Sequence, residues 1–326
     1  MIVQVGVGSP ATYYSLIVDT GSSNTWVGAD KAYVKTSTSE NTGDSVSVSY
    51  GSGSFSGEEY VDTLTLGDDL TITGQSIGVA SSSQGFDGVD GILGIGPTVL
   101  TEDTVSNTDE VPTVTDNLYA QGTISEYLVS VSFEPTTSES DTNGELTFGG
   151  TDSSKYTGSI SYVPLTTTSP ASYYWGIDES ITYGSGTTIL SETAGIVDTG
   201  TTLILIASNA YSKYQKATSA TEDEDTGLLR LTTSEYNNLE NLYFNIGDNS
   251  YTLTPNAQIW PRSLNSAIGG SSDYVYLIVN SIGTPSGEGL DFINGYAFLE
   301  RYYSVFDTGN SQVGFATTSY TDATTN

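Results

Sequence analysis

Two stretches of this sequence repeat one another more than half a chain apart. In SLIVDTGSSNTWV (15–27) and AGIVDTGTTLILI (194–206), an Ile-Val pair leads into Asp-Thr-Gly, and two small hydroxyl residues follow. The pattern predicts a buried strand that ends on an aspartate, then a tight glycine turn, then hydroxyls just beyond it. In such a turn backbone N–H groups face the carboxylate. The hydroxyl three residues on can donate to the outer oxygen, which holds the anion in place without neutralising it. Asp19 with Ser22 and Asp198 with Thr201 meet this description. A third Asp-Thr-Gly, at 307–309, does not. Asn310 and Ser311 follow it, between YYSVF and QVGFA, so it reads as a hairpin turn. Two matched copies constrain the chain to a duplicated half-molecule.

Around these copies, short apolar runs alternate with clusters of Gly, Ser, Thr and Asp. SVSVSY (45–50), YVDTLTL (60–66), SIGVA (76–80), YLVSVSF (127–133) and VYLIVNSI (275–282) are examples. This is an all-β pattern. Three stretches read as short helices, 112–122, 208–218 and 233–243, with Ser208 and Thr233 as caps. The Ser/Thr-rich stretches 36–45 and 136–143 read as surface loops, and TEDEDTG (221–227) as a solvated loop or helix end. A length of 326 residues suffices for two domains with real cores.

Missing residue types narrow the chemistry. The chain has no Cys and no His, so a disulfide framework, a Ser-His-Asp triad, a Cys-His pair and a His-built zinc site are all excluded. Acid–base work falls to carboxylates, with Tyr and Lys as further options. With 39 acidic residues against 8 basic ones and a net charge of −31, nucleic acid and anionic membrane are excluded as partners. No run of apolar residues is long enough to span a membrane. No Asn-x-Ser/Thr sequon occurs. MIVQVGVGSP opens almost inside a strand, as if a leader had been removed, and the polar TTSYTDATTN is unlike a lipid-anchor signal.

Further motifs stand in a fixed order around the repeated loops. VSYGSGSFSG (48–57) is similar to a flap hairpin, and DGILGIG (90–96) to the segment supporting the first loop. FGGTDSSKYTGSISYVPL (148–165) is similar to a passage between lobes. YYWGI (173–177) and INGYAFLERYYSVFD (293–307) are similar to second-half segments. With VDTGSSNTWV and IVDTGTTL as the two catalytic loops, the chain resembles the pepsin-like aspartic proteases along nearly its whole length. It looks most like their disulfide-free fungal members.

The resemblance implies an all-β, bilobal pepsin-like fold with an active-site cleft between lobes at 1–158 and 159–326. It implies a secreted, monomeric endopeptidase that needs no cofactor. Such an enzyme hydrolyses polypeptide substrates at acidic pH, prefers hydrophobic residues on both sides of the scissile bond, and is inhibited by pepstatin-type compounds. Asp19 and Asp198 would share one proton and activate a water between them. Thr20 and Thr199 would lock the loops together, and Gly21 and Gly200 would let backbone approach the substrate. Tyr50, with Gly51 and Ser52, would close over the peptide, with the indole N–H of Trp26 beneath Tyr50. The glycines at 51, 53 and 57 suit a hairpin that bends. Ile17, Phe86 and Ile92 match the S1 side, Ile196 and Tyr174 the S1′ side, and Thr202 joins the substrate-binding set.

Some features depart from the family pattern. Family members carry a longer N-terminal segment, and no propeptide stands in this sequence. They commonly place Asp after the glycine of the second support motif, where this chain has Gly295-Tyr296. Some fungal relatives have Asp after the flap Tyr-Gly, able to pair with a Lys side chain at P1, where this chain has Ser52. The alternative is an inactive pepsin-fold protein serving as inhibitor or receptor. Such relatives lose a catalytic Asp, the hydroxyls or the flap Tyr, all of which are present here. A retroviral-type homodimer is excluded because both halves lie in one chain.

Overall fold

The computed structural model describes residues 1–139 and 141–326. The chain divides into two compact units, Met1–Val129 with Phe148–Gly150, and Ser130–Thr147 with Thr151–Asn326. The expected change of lobe at 158/159 falls inside the strand Thr157–Pro164, in the second unit. Ser140, in the loop expected over 136–143, lies outside the described residues.

The first unit is built on a seven-stranded sheet in the order Ile2–Val7, Thr12–Asp19, Gly91–Gly94, Trp26–Val27, Leu70–Gln84, Ser54–Gly67, Glu40–Ser49. Its first strand also pairs with Ser54–Gly67, so the sheet curls onto itself. Alternation along Thr12–Asp19 buries Tyr14, Leu16 and Val18 completely. Gly91–Gly94 is covered on both faces and runs parallel to Thr12–Asp19, pairing Ile17 with Ile92 and Asp19 with Gly94. A side chain at Gly91 is impossible: its Cβ would stand 1.9 Å from the Trp26 carbonyl oxygen.

The second unit repeats this local arrangement. Its seven-stranded sheet runs Asn249–Leu253, Leu242–Ile246, Gly176–Tyr183, Thr187–Val197, Phe292–Asn294, Ile204–Ile206, Val279–Ser281. Thr187–Val197 is parallel to Phe292–Asn294, as Thr12–Asp19 is to Gly91–Gly94. Tyr302–Asp307 and Gln312–Thr317 form an antiparallel hairpin, which confirms the third Asp-Thr-Gly as a turn.

Helices are few. Val114–Ala120 begins at a capping box between Thr113 and Asp116. Ser208–Thr218 forms as expected, but Ala207 is its cap and Ser208 its first helical residue. The helix expected over 233–243 stops at Tyr236, and its cap is Thr232, boxed with Glu235. Leu242–Ile246 is instead a strand that pairs on both sides. Tyr236, Leu239 and Tyr243 stand at helical spacing, but Leu242, Phe244 and Ile246 bury one face of a sheet. Strand partners on both sides decided between the two periods.

Buried acids set the pH response. Burial pushes the Glu59 carboxyl up to about 7, against a hydrogen bond from Ser76. Burial likewise pushes Glu300 up to about 7, against the adjacent Arg301. Asp62 behaves oppositely. Burial disfavours its anion, but donors from Thr38, Tyr33, Ser39 and the Thr63 N–H outweigh it and hold the carboxyl below its usual range. Raised carboxyls bind more protons folded than unfolded. Their contribution is therefore intact below the unfolded value near 4.5 and is lost as pH rises through about 7. The Asp62 contribution is lost only as pH falls below the ordinary Asp range. Melting temperature measured from about pH 3 to 8 is expected to peak at mildly acidic pH and to fall toward neutrality. A curve rising to its maximum near pH 8 would contradict this assignment.

Candidate active site

Asp19 is the last residue of its strand and is 7% exposed. Its Oδ1 accepts the Gly21 N–H at 2.8 Å, and its Oδ2 accepts the Ser22 hydroxyl at 2.5 Å. The loop is held from behind by the support segment: Ile95 N–H donates to the Asp19 carbonyl and Gly96 N–H to the Ser22 carbonyl. Gly94 permits this contact, since a Cβ there would lie 2.6 Å from the Asn24 carbonyl oxygen.

Asp198, in the second unit, is 9% exposed and held in the same way. Oδ1 accepts the Gly200 N–H at 2.8 Å and Oδ2 the Thr201 hydroxyl at 2.6 Å. Its own N–H donates to the Asn294 carbonyl, while Tyr296 and Ala297 N–H groups donate to the Thr201 and Thr202 carbonyls. The counterpart of Gly94 is Gly295, whose Cβ would stand 2.1 Å from the Leu203 carbonyl oxygen. Tyr296, where the family commonly has Asp, packs its ring on Phe133 and donates its hydroxyl to the Glu134 carbonyl. The departure at this position is thus used for packing within the unit. Asp307 differs from both loops. Its carboxylate takes the Asn310 N–H and the side-chain amides of Asn310 and Gln312, with no hydroxyl at the third position.

The sequence-predicted residues of the first unit converge around one aromatic cluster. Trp26 stacks on Phe55 at 4.2 Å and meets the edge of Phe86, and Tyr50 also meets Phe86. Ile17, Ile92 and Tyr50 pack on the same cluster. The Trp26 indole N–H donates to the Tyr50 hydroxyl at 2.9 Å. Burial, aided by the Asp19 charge, pushes the Tyr50 phenol well above its ordinary range, so it stays neutral. Tyr50, Gly51, Ser52 and Gly53 form the turn of the hairpin, closed by Tyr50 N–H donating to the Gly53 carbonyl. Gly51 and Ser52 are exposed at its tip. Gly51 has open space, but a Cβ on Gly53 or Gly57 would strike the Gln84 or Val79 carbonyl oxygen. Those two glycines permit close strand approach. In the second unit, Tyr174 and Ile196 share a small apolar cluster with Ala171, Ala194, Leu290 and Ile293. Thr199 is buried, while Gly200 and the side chain of Thr202 are exposed.

Comparison with known proteins agrees with this geometry. The family description "Eukaryotic aspartyl protease" matches residues 1–318. The chain belongs to the eukaryotic aspartyl protease family. Among relatives, polyporopepsin of Irpex lacteus is 69% identical over 327 residues, covering 100% of this chain and 96% of that protein. Pepsin A of Rhinolophus ferrumequinum is 33% identical, covering 96% of this chain and 79% of that protein. The crystal structure of the aspartic proteinase from Irpex lacteus superposes with a TM-score of 0.98 at 70% identity, covering 100% of this chain and 96% of that one. The fold is therefore pepsin-like, mostly β with few short helices, and the protein is an aspartic endopeptidase. An inactive binding protein finds no support among these relatives.

The glycine contacts of this aspartyl protease carry a prediction. In both Gly94→Ala and Gly295→Ala the new methyl meets backbone of an Asp-Thr-Gly loop. Each is expected to cost about 1–3 kcal/mol of stability and to lower kcat/KM. Gly150→Ala, which meets nothing within 4 Å, is the control expected to change neither. Thermal melts alongside peptide-hydrolysis assays check this.

Proposed function

We propose that Asp19 and Asp198 are the catalytic pair of this endopeptidase and act together on one water. The observation that carries the reading is the identical dressing of two carboxylates, one in each unit, by a glycine N–H and a hydroxyl. One carboxylate of the pair is ionised and the other protonated. The ionised one takes a proton from the water as the oxygen attacks the scissile carbonyl carbon. The protonated one donates to the carbonyl oxygen. Collapse of the tetrahedral intermediate breaks the C–N bond as a proton passes to the leaving nitrogen. No side chain becomes covalently attached.

Tyr50, Gly51 and Ser52 act as the flap over the substrate, Ile17, Phe86 and Ile92 line the S1 side, and Ile196 and Tyr174 the S1′ side. Thr20 and Thr199 steady the two loops. Apolar clusters around both loops support a preference for hydrophobic residues at P1 and P1′. The same reading makes the protein a secreted, pepstatin-sensitive monomer. Among the described residues no helix is long and apolar enough to cross a membrane.

Asp19→Asn and Asp198→Asn are each expected to lower hydrolysis at acidic pH by about a thousandfold or more with folding intact. Asp307→Asn is expected to keep most activity. Loss of turnover in a folded Asp307→Asn protein would overturn the assignment. Ser52 offers a cationic side chain no negative charge, so cleavage after Leu, Phe or Met is expected to exceed cleavage after Lys. Profiling on a peptide library that found Lys as frequent as Leu at P1 would count against the flap assignment.

A further inference from the structure

Two polar side chains meet inside the second unit, beside the strand that leads into Asp198. Glu179 lies on Gly176–Tyr183 and Asn294 ends Phe292–Asn294, and both are 0% exposed. The Asn294 side-chain amide donates to Glu179 Oε1 at 2.7 Å. The remaining atoms of the same two groups, Glu179 Oε2 and Asn294 Oδ1, have no partner among the described residues. With an ionised carboxyl both are acceptors, and two unsatisfied buried acceptors beside a bare charge are costly. One proton on Oε2 removes the charge and supplies the donor that Oδ1 lacks.

Among the described residues, the neighbouring elements bring no compensating cation. Asp178, next along the strand, is exposed and takes the Thr166 hydroxyl. Thr187–Val197 carries Glu192, exposed, and leads into Asp198. Asp291 is occupied by the Thr193 hydroxyl and the N–H groups of Gly287 and Glu288. Leu242–Ile246 carries Tyr243. The helix Ser208–Thr218, packed on Thr187–Val197, carries Tyr211 and Tyr214, with Lys213 and Lys216 exposed to solvent. Burial pushes the Glu179 carboxyl up to about 8, opposed by the Asn294 amide alone.

The internal repeat shows that this pair is a specific addition. Strand registers place Val5 and Leu93 of the first unit where Glu179 and Asn294 stand in the second: Val5 pairs with Tyr14 and Leu93 with Val18, as Glu179 pairs with Thr193 and Asn294 with Val197. Val5 and Leu93 are fully buried and apolar. One unit fills the position with hydrocarbon, the other with an acid and an amide.

We propose that Glu179 is protonated in the native fold and donates from Oε2 to Asn294 Oδ1, so that acid and amide form a two-bond ring. The ring fixes Asn294, whose backbone carbonyl receives the Asp198 N–H and whose strand pairs with Val197. Glu179 is thereby a positioning residue for the Asp198 loop. This role rests on the catalytic assignment of Asp198, whereas the protonated pair does not. Because the folded carboxyl titrates higher than the unfolded one, the ring's contribution is whole below about 4.5. It is lost as pH rises through about 8.

Glu179→Gln tests the ring directly, since an amide donates as the protonated acid does but has no proton to lose. Melting temperatures of the parent and Glu179→Gln are expected to agree at about pH 4, with the variant about 5 °C higher at about pH 7.5. A Gln variant that declines with pH as the parent does, or is less stable at pH 4, overturns the pair. Glu179→Leu strands the Asn294 amide and is expected to lower kcat at pH 4 about tenfold with little change in KM, while Gln restores kcat. A gain in melting temperature for Gln together with an unaffected kcat for Leu keeps the pair and overturns its positioning role. If Glu179→Leu does not fold, Glu179→Val with Asn294→Leu installs the first unit's apolar pair. That variant is expected to share the neutral-pH gain of Glu179→Gln, and a decline like the parent's again overturns the pair.

Discussion

Each of the two matched Asp-Thr-Gly loops holds a carboxylate almost out of water on neutral donors. Asp19 and Asp198 are each more than nine-tenths buried, and each is held by one glycine N–H and one hydroxyl. Glycine N–H and hydroxyl donors orient each carboxylate without bringing a formal charge of their own. The same device recurs away from the loops. Asp62 takes three hydroxyls and an N–H, Asp90 two N–H groups, and Asp291 a hydroxyl and two N–H groups. A chain with 39 acidic and 8 basic residues has few cations to spend on its interior. Its abundant Ser, Thr and Tyr hydroxyls do that work instead.

Duplication explains how the geometry is made twice. In each unit a strand ending on Asp runs parallel to a buried partner, and a glycine at the end of that partner lets the Asp loop fold back on it. The two copies then diverge where the shared geometry is indifferent to side-chain chemistry. Ile95 faces one loop and Tyr296 the other, and Val5 with Leu93 corresponds to Glu179 with Asn294. The second divergence ties the pH response of the core to the Asp198 loop, a link the first unit lacks.

Much of this was legible in the residues. The matched flanks of Asp19 and Asp198 separated them from Asp307 because the hydroxyl at the third position is a local feature with a local cause. The all-β pattern was equally readable, since alternation such as that of Thr12–Asp19 is written along the strand itself. What sequence missed depends on partners distant in the chain. Leu242–Ile246 looks helical until its neighbours on both sides are known. The flap sequence does not show that the Gln84 and Val79 carbonyls stand against Gly53 and Gly57. Nothing local marks Glu179, which stands between Asp178 and Ser180 like a solvent-facing strand residue, or Asn294, 115 residues from its partner. Comparison of the two repeats position by position was the signal that could have found them.

Under the proposed function, Asp19 and Asp198 act as one catalytic pair although each loop is complete in its own unit. Calorimetric titration of the protein with pepstatin at acidic pH measures this directly. The account predicts one inhibitor bound per chain, with binding weakened by substitution of either Asp19 or Asp198 and not of Asp307. Two inhibitors per chain, one for every two chains, or binding indifferent to one of the two aspartates would contradict it.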